Sequence, residues 1–507
     1  MVLWHVHLLR VLLTAVLSVT LASALGPYSV LVLGPVGTHS LYYLTKSLSE
    51  ALGDAGHSVT LLSTFGPSSS HPMVTEVTTG ASVDYLEDYN FFDMRHPLSM
   101  KGWHMEATKI MPVMWTNADV KRLWERRRKF DAIVIISYAN EVAVPFLLDY
   151  EGAFISFCTP GTELFSVSHL GHWLPMSIVP SIVLPFDEHM SLLERLVIPL
   201  MSGIIYVVYY WHSLPLIQKI VEEYFPQMPP IQDLYENSHV MLINVHFALD
   251  ELIPLLPTQV EVGTICAKPP KPLQQDLEEF VNGSGEAGVI YFSLGSVIKA
   301  KDIPQHLKLY PLHELSELRI YLDNIILLPD WKISTCMICH SKTRRFISHC
   351  GNIGTQEAKY HGIPVLAVPV AFDQPRNAAR MARKGFGLVL DWEDMTTEAI
   401  VDAAQTILND TSYAFRLKQV SEALRDQKET PAERAVWWIE YAIRSNACNS
   451  SYLEYAGKKL HFLQYIQEDA IAFWVAVLVI LYSVCARLCR YCGKGRKEAE
   501  SRTEKVS

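Results

Sequence analysis

The stretch from Phe346 to Met381, "FISHCGNIGTQEAKYHGIPVLAVPVAFDQPRNAARM", narrows the possible folds more than any other part of the chain. Arg345 to Ser348 reads as the end of a short buried strand, Thr355 to His361 as a helix closed by Gly362 and Pro364, and Val365 to Val370 as a second strand. His349 to Gly354 is then a tight strand-to-helix turn. Gly351 and Gly354 let its backbone approach a ligand, and the amides opening the next helix point outward with the positive end of the helix dipole behind them. The second strand delivers Asp373 and Gln374 to the same carboxyl edge of a parallel sheet, where open α/β sheets bind ligands. An imidazole, an amide cluster and side-chain oxygens gathered there suit a ligand bearing phosphates and hydroxyls, such as a nucleotide sugar. An ordinary βαβ unit without a ligand has the same spacing.

Strand, turn and helix recur upstream. "YSVLVLGPVGTHS" gives a strand over Ser29 to Leu33, a turn with Gly34 and Gly37, and His39 opening a helix to about Gly53. "HSVTLLST" and "FDAIVIIS" are further apolar strands, and "AGVIYFSLGS" ends another at Gly295-Ser296. Short apolar strands alternating with helices predict parallel α/β sheets. Two doubly wound domains joined near residues 250 to 285 account for the length. Gly34-Pro35-Val36-Gly37 is not the GxGxxG of a dinucleotide site, and neither a Walker loop nor a DxD pair is present. The net charge of −10 carries no basic block in the body, so nucleic acid is not an expected partner.

Residues 1–24 have the apolar stretch and small-residue exit of a signal peptide. Ala470 to Ala486 is a run of 17 residues without charge, extended to Leu488, and Arg487, Arg490, Lys494, Arg496 and Lys497 follow it. A positive excess beside a span marks the cytosolic side, so the expectation is a type I protein with a lumenal body, a span at 470–488 and a basic tail at 489–507. Asn282, Asn409 and Asn449 head Asn-x-Ser/Thr triplets in the lumenal part. Leu196 to Ile217 also lacks charge, but its prolines and polar residues favour a membrane-dipping or buried helical patch over a second span. The nine cysteines are scattered, unlike a disulfide framework, and Cys336-Met-Ile-Cys339 has no second ligand pair at zinc-finger spacing. Neither a metal nor a cofactor is expected.

The signature "FISHCGNIGTQEAKYHGIPVLAVPVAFDQ", with "VLVLGPVGTHS", "EEFVNGSGEAGVIYFSLGS" and the terminal span, resembles the membrane-bound UDP-glycosyltransferases, the glucuronosyl- and glucosyltransferase family. That resemblance implies two facing Rossmann-like domains in the GT-B arrangement. An acceptor-binding half at 25–250 and a UDP-sugar-binding half at 285–445 would precede the membrane helix. By position, His349 would contact the diphosphate, Glu357 the ribose, and Asp373 and Gln374 the sugar hydroxyls. Ser296 would line the pocket with Gly351 and Gly354, and Trp331, 18 residues before His349, would lie beneath the uracil. His39 would be the general base that takes the proton of a hydroxyl on a small lipophilic acceptor, with inversion at the anomeric carbon. The UDP-sugar is a co-substrate, the body faces the lumen of the endoplasmic reticulum, and a homo-oligomer is left open.

Three departures set this chain apart. Lys332-Ile333-Ser334 replaces the family's Pro and Gln after the tryptophan, the chain between Ser296 and His349 is about ten residues short, and Ile136 stands where the family's Asp partners the catalytic histidine. With an interior strand to be rebuilt from Ile320 to Ile326, lowered activity is expected, and a UDP-binding protein without turnover is the alternative.

Overall fold

The computed structural model describes residues 26–82, 90–95, 105–137, 140–161, 170–250, 252–269, 272–296, 298, 302–304, 325–327, 337–448, 453–460, 462–465 and 467–504. The expected signal peptide, Trp331 and its following triplet, Cys336 and Asn449 lie outside the described residues.

The chain forms two compact units, one of residues 1–170 and 174–453, the other of residues 171–173 and 454–507. Two parallel sheets make up the first. Strands β1 (Ser29–Gly34), β2 (Ser58–Ser63), β3 (Val74–Thr78), β4 (Ala132–Ile136), β5 (Ala153–Cys158), β6 (Val240–Ile243) and β7 (Gln259–Glu261) pair in the order β3-β2-β1-β4-β5-β6-β7. Strands β8 (Val289–Ser293), β9 (Ile325–Leu327), β10 (Thr343–Ser348), β11 (Val365–Ala367) and β12 (Gly387–Val389) pair as β12-β11-β10-β8-β9. The strand expected at Ile320 to Ile326 is thus found at Ile325–Leu327, and it sits at an edge of the described sheet rather than inside it.

Both sheets are buried on two faces, which is why their strands read as continuous apolar runs. Along β1 the side chains alternate: Val30 and Val32 join one core, Leu31 and Leu33 the other. In the second sheet Tyr291 and Phe346 face one core, and Ile290 and Ile347 the opposite one. Among the helices, α1 (His39–Asp54) follows β1, and α2 (Leu192–Val208) and α3 (Leu214–Tyr224) lie between β5 and β6. In the second half α4 (Asn352–His361) follows β10 and α5 (Gln374–Arg383) follows β11. Helix α6 (Pro431–Ala447) returns to the first sheet, where Ala435, Ile439 and Ala442 enter the core of Val30 and Val32.

The region raised as a second span resolves by connectivity. A π-helical turn, Tyr209–Ser213, joins α2 to α3. Strands β5 and β6 pair side by side, so one crossing of a membrane between them would put neighbouring strands on opposite sides. Ile198, Ile217 and Val221 are buried, whereas Leu192, Leu193, Leu196, Leu200 and Trp211 are exposed. The patch is therefore amphipathic, with an apolar face turned outward, and is not a buried one.

In the second unit, α7 (Glu468–Glu504) contains the apolar stretch Ala470–Arg487, with a mean hydropathy of 2.1 and no buried residues, long enough to cross a membrane.

Candidate functional site

Each sheet has one place where the strand order reverses. In the first it lies between β1 and β4, in the second between β8 and β10. Ligands of open α/β sheets bind beyond the carboxyl ends of strands at such points. The loop after β1 holds Pro35 to Thr38, and the loops after β8 and β10 hold Gly295-Ser296 and His349–Gly351. All three contribute to one cavity of about 210 Å³.

Ser296, His349, Gly351, Gly354, Glu357, Asp373 and Gln374 line this cavity. Helix α4 begins at Asn352, three residues earlier than the sequence suggested, so Gly354 belongs to its first turn instead of the preceding loop. Gly351 is the N-cap and brings no capping side chain, and the first helical amide, that of Asn352, donates to the Asp373 carboxylate beside the cavity. The His349 ring needs both neighbouring glycines. A Cβ on Gly295 would come within 2.6 Å of Cε1, and one on Gly351 within 2.6 Å of Nε2. Gly295 is also left-handed, at φ +75°. Burial holds the His349 pKa down to about 4, against a hydrogen bond to the Ser293 backbone that favours the charged form. At neutral pH the imidazole is uncharged.

Asp373 lies between two influences. Burial pushes its carboxyl up, while Arg376 and the Asn377 amide, which donates to Oδ2 at 2.7 Å, favour the ionised form. Gln374 is buried, and its Oε1 accepts from the Val370 and Ala371 amides at 2.8 and 3.1 Å, which leaves Nε2 as its donor toward a ligand. The residues just before these groups take unusual backbone. Phe372 is left-handed at φ +59°, as is Cys350 at φ +61° after His349. These kinks turn the loops after β10 and β11 toward the cavity.

From the first half, Thr38, Ser40, Leu41, Tyr43, Leu44, Phe91, Thr159, Pro160 and Ile182 complete the lining, a largely apolar wall. His39 opens α1 between two lining residues, but it is not itself among the lining groups; its ring packs on Phe65 with centroids 4.3 Å apart. Phe91 and Phe372 meet edge-on at 5.5 Å, one from each half. Sequence reasoning missed Thr159. Its carbonyl accepts from Asn244 Nδ2 at 3.1 Å and from Asn352 Nδ2 at 3.2 Å, and its buried hydroxyl has no partner among the described residues. The signal was present: "FISFC" before Thr159-Pro160-Gly161 is a strand end before a turn, as at Ser296. Ile136, at the end of β4, is buried and apolar. No group of three or more His, Cys, Asp or Glu that could hold a metal occurs among the described residues.

Two parallel α/β sheets with a ligand cavity lined from the carboxyl ends of both define a GT-B glycosyltransferase. Residues 126–503 match the profile of the family described as UDP-glucoronosyl and UDP-glucosyl transferase, and the chain belongs to that family. It is 25% identical over 503 residues to UDP-glucosyltransferase 2 of Dactylopius coccus, covering 95% of this chain and 96% of that one. To UDP-glucuronosyltransferase 2B10 of Homo sapiens it is 27% identical over 499 residues, covering 90% and 92%. Among solved structures, a UDP-glucosyltransferase from Polygonum tinctorium superposes with a TM-score of 0.54 at 15% identity, over 83% of this chain and 99% of that one. Family and fold together support sugar transfer from a UDP-sugar.

Proposed function

We propose that the chain transfers glucose or glucuronate from a UDP-sugar to a hydroxyl of a small lipophilic acceptor, with inversion and with His39 as general base. The cavity lined from both halves supports this reading most. A diphosphate at the α4 N-terminus would meet its amides and the neutral His349 imidazole, so that departing charge is stabilised by fixed dipoles instead of a cation. Glu357 would take the ribose hydroxyls, with Ser296 beside the same pocket. Asp373 would accept from the sugar and Gln374 Nε2 would donate to it. Trp331 would stack on the uracil. The apolar wall of Leu41, Leu44, Phe91 and Ile182 would hold the acceptor body, with its hydroxyl toward His39. Asp373 and Gln374 recognise hydroxyls common to both sugars, so the donor stays open.

The same reading puts the body in the lumen of the endoplasmic reticulum, anchored by Ala470–Arg487, with the exposed apolar face of α2 resting on the bilayer. The exposed Asn282 and Asn409 would then be open to glycosylation. Microsomes containing the chain, incubated with labelled UDP-glucose or UDP-glucuronate and a panel of phenols and steroids, should yield glycosides that His39→Ala abolishes. UDP binding without transfer of either sugar would make it a binding protein. Protease treatment of sealed microsomes should remove only the tail, and cleavage within the first 460 residues would reverse the topology.

A further inference from the structure

We infer that Asn140 is the positioning residue of His39, acting through the backbone of the turn that leads into α1; this role rests on His39 being the base proposed above. Asn140 is fully buried in the loop after β4, at the start of the 3₁₀ turn Glu141–Leu147. Its carboxamide pairs both ways with one residue of the loop after β1. Oδ1 accepts from the Val36 amide at 2.7 Å and Nδ2 donates to the Val36 carbonyl at 3.0 Å, a contact across 104 residues of sequence. These are the two loops that meet where the strand order reverses.

The other flank is held as well. Thr64, just after β2, donates its hydroxyl to the Pro35 carbonyl, and Thr79 donates to Thr64 Oγ1 at 3.1 Å. Strand β1 lies between β2 and β4, so Pro35 and Val36 are pinned from both sides, three to four residues ahead of His39. Buried amide pairs of this kind are stiff, because either partner left unpaired has no water to turn to. A carboxylate on the ring would fix the imidazole directly, whereas this clamp fixes the main chain beneath it, with Phe65 against the ring. Displacement of a base by about an ångström is enough to cost much of its effect.

The role is tested by steady-state kinetics of Asn140→Ala with two acceptors, an alkylphenol and a nitrophenol already ionised at assay pH. With the alkylphenol, kcat should fall about 10–100-fold while KM for the UDP-sugar stays within about twofold. With the nitrophenol the loss should shrink below about threefold, since an oxyanion needs no base, and His39→Ala should be rescued the same way. Equal losses with both acceptors, or a matching rise in KM for the UDP-sugar, would assign Asn140 to general scaffolding and overturn the inference. Transfer by His39→Ala at the unaltered rate would remove the base, and the positioning role with it. Where Asn140→Ala does not fold, Thr64→Val meets the same criteria from the other flank, with an expected loss of about three- to tenfold.

Discussion

The Tyr209 hydroxyl donates to Glu141 Oε1 at 2.8 Å, tying a buried carboxylate after β4 to the π-helical turn between α2 and α3. Glu141 lies in the loop after β4, close along the chain to Ile136, and the structure pairs its carboxylate with a tyrosine. Glu141→Gln keeps an oxygen acceptor for Tyr209 while removing the charge. Transfer to a neutral phenol should therefore stay within about threefold of the unaltered chain. A loss as deep as that of His39→Ala would show that Glu141 supports the base after all.

Ile136 fills space beside the first glycine turn, for a Cβ on Gly34 would come within 2.7 Å of its Cδ1. An aspartate there would lose that packing and place a carboxylate among apolar side chains. Ile136→Asp should cost roughly 2–5 kcal/mol of stability, read as a lower melting temperature, with no gain in kcat. An unchanged melt with faster transfer would mean that the carboxylate reaches His39.

The depressed pKa of His349 gives a definite direction with pH. Its folded value of about 4 lies below the ordinary 6.5, so between the two the unfolded chain binds the extra proton. Stability is complete above pH 6.5 and is lost as pH falls toward 4. His361, also held near 4 by burial and by Arg425, acts in the same sense. His349→Asn should flatten the melting temperature against pH over this window, leaving the His361 share. Parallel curves for the two proteins would refute the assignment.

Both sheets and the nucleotide-side loops were legible because parallel strands buried on two faces announce themselves as apolar runs ended by glycine. The loop holding His349, and Asp373-Gln374 after the next strand, could be read from spacing alone. What was not legible depends on long-range contact. Thr159 gains its place by pairing with Asn352, nearly two hundred residues on, and Asn140 by pairing with Val36. The edge position of Ile325–Leu327 among the described strands and the early start of α4 follow from sheet order and capping, which a local window does not contain. For Leu196 to Ile217, composition left two outcomes open, and only the pairing of β5 with β6 decided between them.

The two halves are also joined by a buried ionic cluster that composition does not reveal. Arg380, on α5, pairs with Glu188 and, at 3.1 Å, with Asp250, while Arg383 meets Asp187 at 3.0 Å. Burial pushes the Asp250 carboxyl up, but Arg380, Lys359, Arg376 and Lys384 together hold it below the ordinary carboxylate range. Such a cluster adds little over an apolar one, yet breaking it from one side leaves charge buried without a partner. Arg380→Met should therefore destabilise the chain by about 3–5 kcal/mol at pH 7. Adding Glu188→Gln to Arg380→Met should recover part of that loss, since the carboxylate that loses its ion pair is then neutral, while Asp250 keeps Lys359, Arg376 and Lys384 near it. The deficit of Arg380→Met should also shrink toward low pH, because burial favours the neutral form of a carboxylate that has lost its cation. Thermal melts of the single and double variants from pH 4.5 to 7.5 measure both effects. A strictly additive double variant, with a deficit constant across that range, would show that Arg380 contributes packing and not charge.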